Sequence, residues 1–241
     1  MSRAKEIVGV RACDFVEDGM VVGLGTGSTV SFFIKELGKR IKERKINNVV
    51  GIPASKETEL LARSVGISLS TLDRTNRIDL LVDGVDEVTT QFNGIKGGSG
   101  ALLREKIVAT NSNKVIWIAD ESKLVNELGA GGIPVEVVQF GSFNLFRLFD
   151  QNGWRPTFRK SGQDSLYITV SGNYIIDLHI NPIENLHKLQ FDLNYMVGVV
   201  EHGLFLNHPD VILIGKEEGK ITRYQRKMVD NESDTTTKEA P

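Results

Sequence analysis

A lysine, four small residues and a glutamate follow one another closely in the segment IKGGSGALLREK at residues 95–106. Lys96 precedes the small residues 97–100, and Glu105 lies in the first two turns of the helix that they open. Backbone N–H groups, a cation and a carboxylate can therefore meet around one small anion. On a helix, Glu105 shares a face with apolar i±3 and i±4 neighbours. Partial desolvation would raise its pKa towards that of a general base, and Lys96 could neutralise an oxyanion.

An acidic loop with the sequence DGVDE follows the apolar run 78–82. Its residues Asp83 and Asp86 lie three apart around a glycine, so both carboxylates can face a ligand as hydroxyl acceptors or proton carriers. A magnesium site, or a helix cap beside solvated carboxylates, is the alternative. Magnesium is disfavoured because Lys96 would already supply positive charge.

A third segment, GLGTGST at residues 23–29, follows a strand and opens a helix. Its glycines let the backbone approach a ligand, and a helix N-terminus with hydroxyl groups suits a phosphate. A dinucleotide site needs a carboxylate at the end of the second strand, but residues 51–55 read GIPAS. The Gly-Lys-Ser/Thr of nucleotide triphosphate loops is also missing. The segment predicts a site for a small phosphorylated metabolite, with a purely structural turn as the alternative.

Apolar strand-like runs alternate with helical patterns in the first half of the chain. Strands are predicted at 20–24, 48–52, 78–82 and 115–119, and helices at 4–17, 29–43 and 56–65. This alternation indicates a doubly wound, mostly parallel, Rossmann-like α/β sheet, which binds ligands at the carboxyl ends of its strands. Lys5 and Lys123 could reach that edge, although each alone is more typical of a surface lysine.

A smaller α+β unit is predicted after the glycine-rich residues 129–132. Strands at 135–138, 166–170 and 174–180 and helices at 143–149 and 181–197 suggest a ferredoxin-like unit, inserted before a return strand at 211–214. We therefore predict a Rossmann-like domain from 1–130 and 205–229, a small domain at 131–204, and a disordered polar tail at 230–241.

Composition narrows the function classes. The formal net charge is -2 and no basic block stands out, which argues against nucleic-acid binding. No apolar run approaches a membrane span and the start lacks a signal-peptide core, so we expect a cytoplasmic protein. The four histidines lack metal-ligand spacing, and the one cysteine has no catalytic helper.

Taken in this order, the three segments resemble those of the A-type ribose-5-phosphate isomerases. The likeness extends to GIPVEV at 132–137, GNYIID at 172–177 and EHGLF at 201–205, and spans essentially residues 4–220. It implies that the chain interconverts D-ribose 5-phosphate and D-ribulose 5-phosphate without metal or organic cofactor. It also implies a sugar phosphate as the binding partner, and a homodimer or homotetramer.

The resemblance implies residue roles as well. Glu105 would be the general base that moves a proton between C2 and C1 through an enediolate, and Asp83 and Asp86 would assist ring opening and hydroxyl proton transfer. The group that stabilises the enediolate oxygen would be Lys96 with the backbone of Gly97, Gly98 and Ser99. The remaining predicted substrate-binding residues are Thr26, Gly27, Ser28, Thr29, Gly84, Val85, Lys123 and Lys5.

Ser99 departs from the family pattern, which usually has glycine at this position. If the position requires a positive φ, serine costs about 1 kcal/mol or more. The serine N–H would still be available to a ligand.

Three other functions remain open: another sugar-phosphate isomerase, an amino-sugar-phosphate deaminase, and a sugar-phosphate-sensing module. A deaminase is expected to need a histidine near the acidic loop, and none lies between Asp83 and Glu105. A sensing module would carry an N-terminal helix-turn-helix and tend to lose the catalytic base. Here the first motif begins at residue 23, which we expect leaves no room for such a domain, and Glu105 is present.

Overall fold

The computed structural model describes residues 2–163 and 165–226 and has an α/β fold. The helices are α1 (Arg3–Ala12), α2 (Ser28–Lys42), α3 (Lys56–Ser64), α4 (Leu102–Thr110), α5 (Ser142–Gln151) and α6 (Leu186–Tyr195). The strands are β1 (Val21–Leu24), β2 (Val50–Pro53), β3 (Ser68–Leu69), β4 (Leu80–Asp83), β5 (Glu87–Val88), β6 (Asn93–Ile95), β7 (Val115–Asp120), β8 (Ile133–Val137), β9 (Pro156–Phe158), β10 (Tyr174–Leu178), β11 (Val199–His202), β12 (Leu204–Leu206), β13 (Val211–Gly215) and β14 (Ile221–Gln225). The predicted disordered tail lies outside the described residues.

A seven-stranded sheet forms the centre, in the order β14-β13-β7-β4-β1-β2-β3. All neighbours are parallel except β13 and β14, which confirms the predicted doubly wound fold and the return strand. The chain leaves β1 towards β2 and β3, then crosses to β4 on the other side of β1. The crevice at the carboxyl ends of β1 and β4 is therefore the topological switch point, where such sheets bind ligands.

A second sheet has the order β11-β8-β10-β9, and its chain order β8-α5-β9-β10-α6-β11 is the predicted split βαβ arrangement. A third sheet, β12-β6-β5, is short and was not predicted. It pairs residues 204–206 with 93–95, which immediately precede Lys96. The limits proposed for the two domains stay a prediction.

Two predicted elements of the second sheet are wrong. Residues 166–170 form only isolated bridges, and the strand that pairs with β10 on the side away from β8 is β9. Its three residues include Pro156, which an edge strand tolerates, and Phe158 stacks on Phe146 at 5.2 Å. The last helix begins at Leu186 rather than at 181, because Asn185 provides the capping oxygen and accepts the N–H of Lys188. Long-range packing thus determines which segment pairs with β10, and a second possible capping residue determines where the last helix begins. The local sequence pattern indicates neither.

The hydrophobic core lies on both faces of the central sheet. Alternate residues of β7 point to opposite faces: Ile116 and Ile118 pack among residues of α1, α2 and α3, whereas Val115 and Trp117 pack beside α4 and β12. A third cluster fills the second sheet and its two helices. No helix within the described ranges is long and apolar enough to span a membrane. The expected cytoplasmic location stays a prediction.

Helix α1 crosses α2 at Gly9, and this contact predicts the sign of a substitution. A Cβ at Gly9 would lie 2.6 Å from Phe32 Cβ and 2.8 Å from the backbone nitrogen of Phe33. We expect Gly9→Ala to destabilise the protein by about 1–3 kcal/mol through overpacking, despite a gain of about 1 kcal/mol in helix propensity. Urea unfolding beside the exposed neighbour Val10→Ala would measure it. A Gly9→Ala protein as stable as the wild type would contradict this packing.

Candidate active site

Three charged side chains from distant segments meet beneath the switch point. Asp83 ends β4, Lys96 follows β6, and Glu105 lies in the first turn of α4; each is at most 2% exposed. The Lys96 Nζ lies 2.9 Å from Glu105 Oε1 and 3.0 Å from Asp83 Oδ2, and donates to the Gly84 carbonyl at 2.5 Å. Two of the three ammonium N–H groups donate to Glu105 Oε1 and to the Gly84 carbonyl, whereas Asp83 Oδ2 forms an ion pair with the ammonium but accepts no hydrogen bond within the described residues. In this arrangement Lys96 can act on a ligand through its charge and through its remaining N–H.

Asp83 is held in place by the backbone on both sides. Its Oδ1 accepts the N–H of Thr26 at 3.0 Å and that of Gly84 at 2.8 Å. A Cβ at Gly25 would overlap this same oxygen, so glycine is required there by the close approach of β1 to β4. Asp83 therefore connects the glycine-rich segment at residues 23–29 to the acidic loop.

Glu105 has the freer carboxylate. Its Oε1 contacts Lys96, but Oε2 is buried and has no hydrogen-bond partner within the described part of the chain. Burial raises the pKa of Glu105 to about 7, assisted by the charge of Asp83 and opposed by that of Lys96. Burial also raises the pKa of Asp83, while the two carboxylates together hold the pKa of Lys96 above its usual value despite burial. Two carboxylates share one cation, so the cluster holds a proton more readily than an isolated pair would.

The loop after Lys96 has its positive φ angles at Gly97 (108°) and Gly100 (81°), and Ser99 has none. The conformational cost considered for Ser99 therefore does not arise. The N–H of Gly98 donates to Asp86 Oδ2 at 2.8 Å, so the glycine-rich loop and the acidic loop hold each other.

Hydroxyl and amino groups gather at the first turn of α2. Gly27 precedes this helix with a φ of 105°, and Ser28 and Thr29 begin it. The Lys5 Nζ donates to Ser28 Oγ at 3.1 Å, and Lys123 comes from the short helix after β7. The N-terminus of α2 and two nearby lysines make this end of the site positive, which suits an anion.

These groups line one cleft of about 160 Å³ at the carboxyl edge of the sheet, hereafter the edge cleft. Its lining residues are Lys5, Thr26, Ser28, Thr29, Gly84, Val85, Asp86, Lys96, Gly97, Ser99, Glu105 and Lys123. Every one of them was predicted from the sequence. The other predicted residues do not line it: Asp83 lies behind Lys96, Gly98 bonds to Asp86, and Gly27 caps α2.

The position of Lys96 bears on the magnesium alternative. Its ammonium lies 3.0 Å from Asp83 Oδ2, so one of the two aspartates of the magnesium interpretation already faces a positive charge. Within residues 2–163 and 165–226, no group of three or more His, Cys, Asp or Glu side chains has a metal-binding arrangement. No histidine is among the described residues that line the edge cleft.

Sequence reasoning missed the residues that hold the site from outside. Glu87 is buried and accepts the N–H groups of Gly129 and Gly131. Lys106 is also buried, and its Nζ donates to Glu201 Oε1 at 2.7 Å and to the carbonyls of residues 202 and 204. In the sequence, Lys106 stands in a charged Arg-Glu-Lys run, and no local signal indicates that it is buried.

Comparison with known proteins gives one consistent result. The family model of ribose 5-phosphate isomerase A (phosphoriboisomerase A) matches residues 50–219. The chain is 50% identical to ribose-5-phosphate isomerase A of Enterococcus faecalis over 218 residues, covering 90% of this chain and 96% of that protein. It is 51% identical to the Streptococcus thermophilus protein of the same name over 222 residues, covering 92% and 98%.

Solved structures agree with the sequences. A D-ribose-5-phosphate isomerase in complex with phospho-erythronic acid superposes with a TM-score of 0.89 at 36% identity, covering 92% of this chain and 98% of that one. Ribose 5-phosphate isomerase from Plasmodium falciparum gives a TM-score of 0.88 at 40% identity, covering 94% and 100%.

The charge cluster predicts how Glu105 titrates. We expect its carboxyl to show a pKa of about 7 by carbon-13 NMR. Asp83→Asn should lower that pKa, because it removes a negative charge that disfavours ionisation of Glu105. Asp86→Asn should lower it less, since Asp86 contributes a smaller repulsion. A wild-type Glu105 that titrates near the usual value of 4.5 would contradict the described environment.

Proposed function

The chain belongs to the ribose 5-phosphate isomerase A family, and we propose that it interconverts D-ribose 5-phosphate and D-ribulose 5-phosphate at the edge cleft. The observation that carries the proposal is the unbonded Oε2 of Glu105 in a cleft whose other end is cationic. A pentose phosphate has one anionic end and one end at which a proton must move. The edge cleft offers a matching group for each.

In the forward direction, Glu105 removes the proton from C2 of the open-chain aldose. The two electrons of that C–H bond form the C1–C2 double bond of an enediolate, and the C1 carbonyl oxygen takes the negative charge. The O2 proton is then transferred to O1, Glu105 returns its proton to C1, and the electron pair left on O2 forms the C2 carbonyl of the ketose. A pKa of about 7 suits both transfers, since the same group must accept and donate near neutral pH.

The enediolate oxygen is stabilised by the charge of Lys96 and by the N–H groups of the loop after it. Lys96 is fully desolvated, so its field acts on the ligand with little screening. Because two of its three N–H groups already have acceptors, most of the direct hydrogen bonds to the oxyanion come from the backbone. This division assigns different tasks to the lysine and to the loop.

The two aspartates also have different tasks. Asp86 lines the edge cleft and is half-buried, so it can exchange protons with substrate hydroxyls during ring opening. Asp83 is pinned by Thr26 and Gly84 and lies behind Lys96, so it positions the lysine and sets the proton affinity of Glu105. The phosphate lies at the first turn of α2, with Lys5 and Lys123 beside it.

The decisive assay is conversion of ribose 5-phosphate by the purified chain with a chelator present. We expect wild-type activity, and a loss of roughly 10²–10⁴-fold in kcat for Glu105→Gln, the usual contribution of a general base. Activity of the wild type should fall as the pH drops below about 7, because the base must be ionised.

The exposed Glu43→Gln is the matched control and should retain wild-type kcat. An inactive wild type would refute the isomerase proposal, and nearly full activity of Glu105→Gln would refute its role as base. Activity lost on adding the chelator would restore the magnesium interpretation of Asp83 and Asp86. Release of ammonia from an amino-sugar phosphate would favour the deaminase alternative.

We further propose that the chain self-associates through the second sheet. Phe140 and Val197 are each 96% exposed, and Val138 and Val170 are also exposed. Hydrogen bonds from the Val138 N–H to residue 198 and from Gln139 to residue 172 bring these segments together. Exposed apolar side chains on neighbouring segments are typical of an interface.

Light scattering after gel filtration tests this proposal. The wild type should elute as a dimer or tetramer, and Phe140→Ser with Val197→Ser should weaken assembly at least tenfold, because both anchors leave the interface. Leu60→Ser also replaces an exposed apolar side chain by serine, but on α3, and should leave the assembly intact. A monomeric wild type at micromolar concentration would contradict the proposal.

A further inference from the structure

Arg159, which follows β9 on the second sheet, reaches the glycine-rich loop after Lys96. Its Nη1 donates to the carbonyl of Gly97 at 2.6 Å and to that of Gly98 at 3.3 Å. Its Nε and Nη2 form a bidentate pair with Asp177 on β10, at 3.0 and 2.5 Å. The guanidinium is thus fixed on one side by a carboxylate and donates to two successive loop carbonyls on the other.

Because each peptide group is planar, fixing the direction of a loop carbonyl also fixes the direction of the N–H group in the same peptide. Both peptides are trans, so the C=O of one residue and the N–H of the next point in opposite directions. The Gly98 N–H shares a peptide with the Gly97 carbonyl, which Arg159 binds. This N–H therefore points away from the arginine and donates to Asp86. The Ser99 N–H must likewise point away from Arg159.

The Ser99 N–H has no acceptor within residues 2–163 and 165–226, and Ser99 lines the edge cleft. Two successive N–H groups that point the same way form a small anion-binding concavity. One of them is used by Asp86, and the other is open to a ligand.

We propose that Arg159, held by Asp177, is a positioning residue that orients the peptides between Gly97 and Ser99, so that the Ser99 N–H donates to the enediolate oxygen. This inference rests on the isomerase activity proposed above. Arg159 does not contact the substrate. Arg159 acts on the loop through the Gly97 and Gly98 carbonyls. Asp177 fixes the orientation of the guanidinium so that it can donate to both.

The test separates loop orientation from folding and from phosphate binding. We expect Arg159→Ala to lower kcat about 10- to 100-fold while KM changes less than threefold, since the lost stabilisation belongs to the transition state. Inorganic phosphate, which probes the first turn of α2, should inhibit with a constant within twofold of the wild type. Arg159→Lys should recover part of kcat, and Asp177→Asn should lose less than Arg159→Ala.

Calorimetric binding of phospho-erythronic acid gives a readout independent of turnover. Its carboxylate stands in for the enediolate oxygens, so Arg159→Ala should weaken its binding at least tenfold and leave inorganic phosphate binding unchanged. Arg147→Ala, which removes an exposed arginine from α5, is the matched control and should alter neither constant. An inactive wild type would refute the proposed function alone, and the binding measurements would still test Arg159.

Two outcomes would overturn the role of Arg159. The first is a folded Arg159→Ala enzyme with kcat within threefold of the wild type and unchanged phospho-erythronic acid binding. The second is a parallel loss of kcat, inorganic phosphate affinity and thermal stability, which would show a structural role only.

Discussion

The buried ammonium of Lys96 between two carboxylates is the interaction on which the site depends. Removing each of these charges from water costs several kcal/mol, so none of them could be retained alone. One cation for two carboxylates leaves the cluster with excess negative charge, and a proton is the simplest compensation. Asp83 Oδ1 accepts two backbone N–H groups, whereas the Glu105 carboxylate accepts none from the backbone, and Asp83 Oδ2 and Glu105 Oε2 both lack a hydrogen-bond partner within the described residues. The backbone hydrogen bonds favour the ionised form of Asp83, which directs the proton towards Glu105, the group that faces the edge cleft.

The fold supplies this cluster by bringing three distant segments to one edge. β4 delivers Asp83, the short sheet β12-β6-β5 delivers Lys96, and α4 delivers Glu105. The segment after β11 links the last two, because Lys106 of α4 donates to the carbonyls of residues 202 and 204 while the Lys96 N–H donates to residue 203. A shift of α4 would therefore disturb Lys96 as well as Glu105. The proposed base and its cation are thus held together by one set of backbone contacts.

Much of this could be predicted from local pattern. The placement of Glu105 on an apolar helix face predicted its desolvation, and the strand ends predicted that the acidic and glycine-rich loops would meet. Residues that act across long sequence separations gave no such signal. Arg159 is 62 residues from Gly97, and Lys106 is 95 residues from Glu201. Strand β9 was not predicted for the same reason, because a three-residue segment that contains a proline forms a strand only by pairing with a distant strand.

Ser99 illustrates what the loop requires of its sequence. Gly97 and Gly100 need glycine because their φ angles are positive, and a Cβ on Gly100 would also overlap the Tyr167 hydroxyl. Ser99 has no such constraint, and its exposed side chain is not held by any hydrogen bond within the described residues. In the proposed mechanism the loop acts through its peptide groups, and every residue except proline has the same N–H. What the mechanism requires of this position is therefore backbone direction, which a serine preserves as well as a glycine.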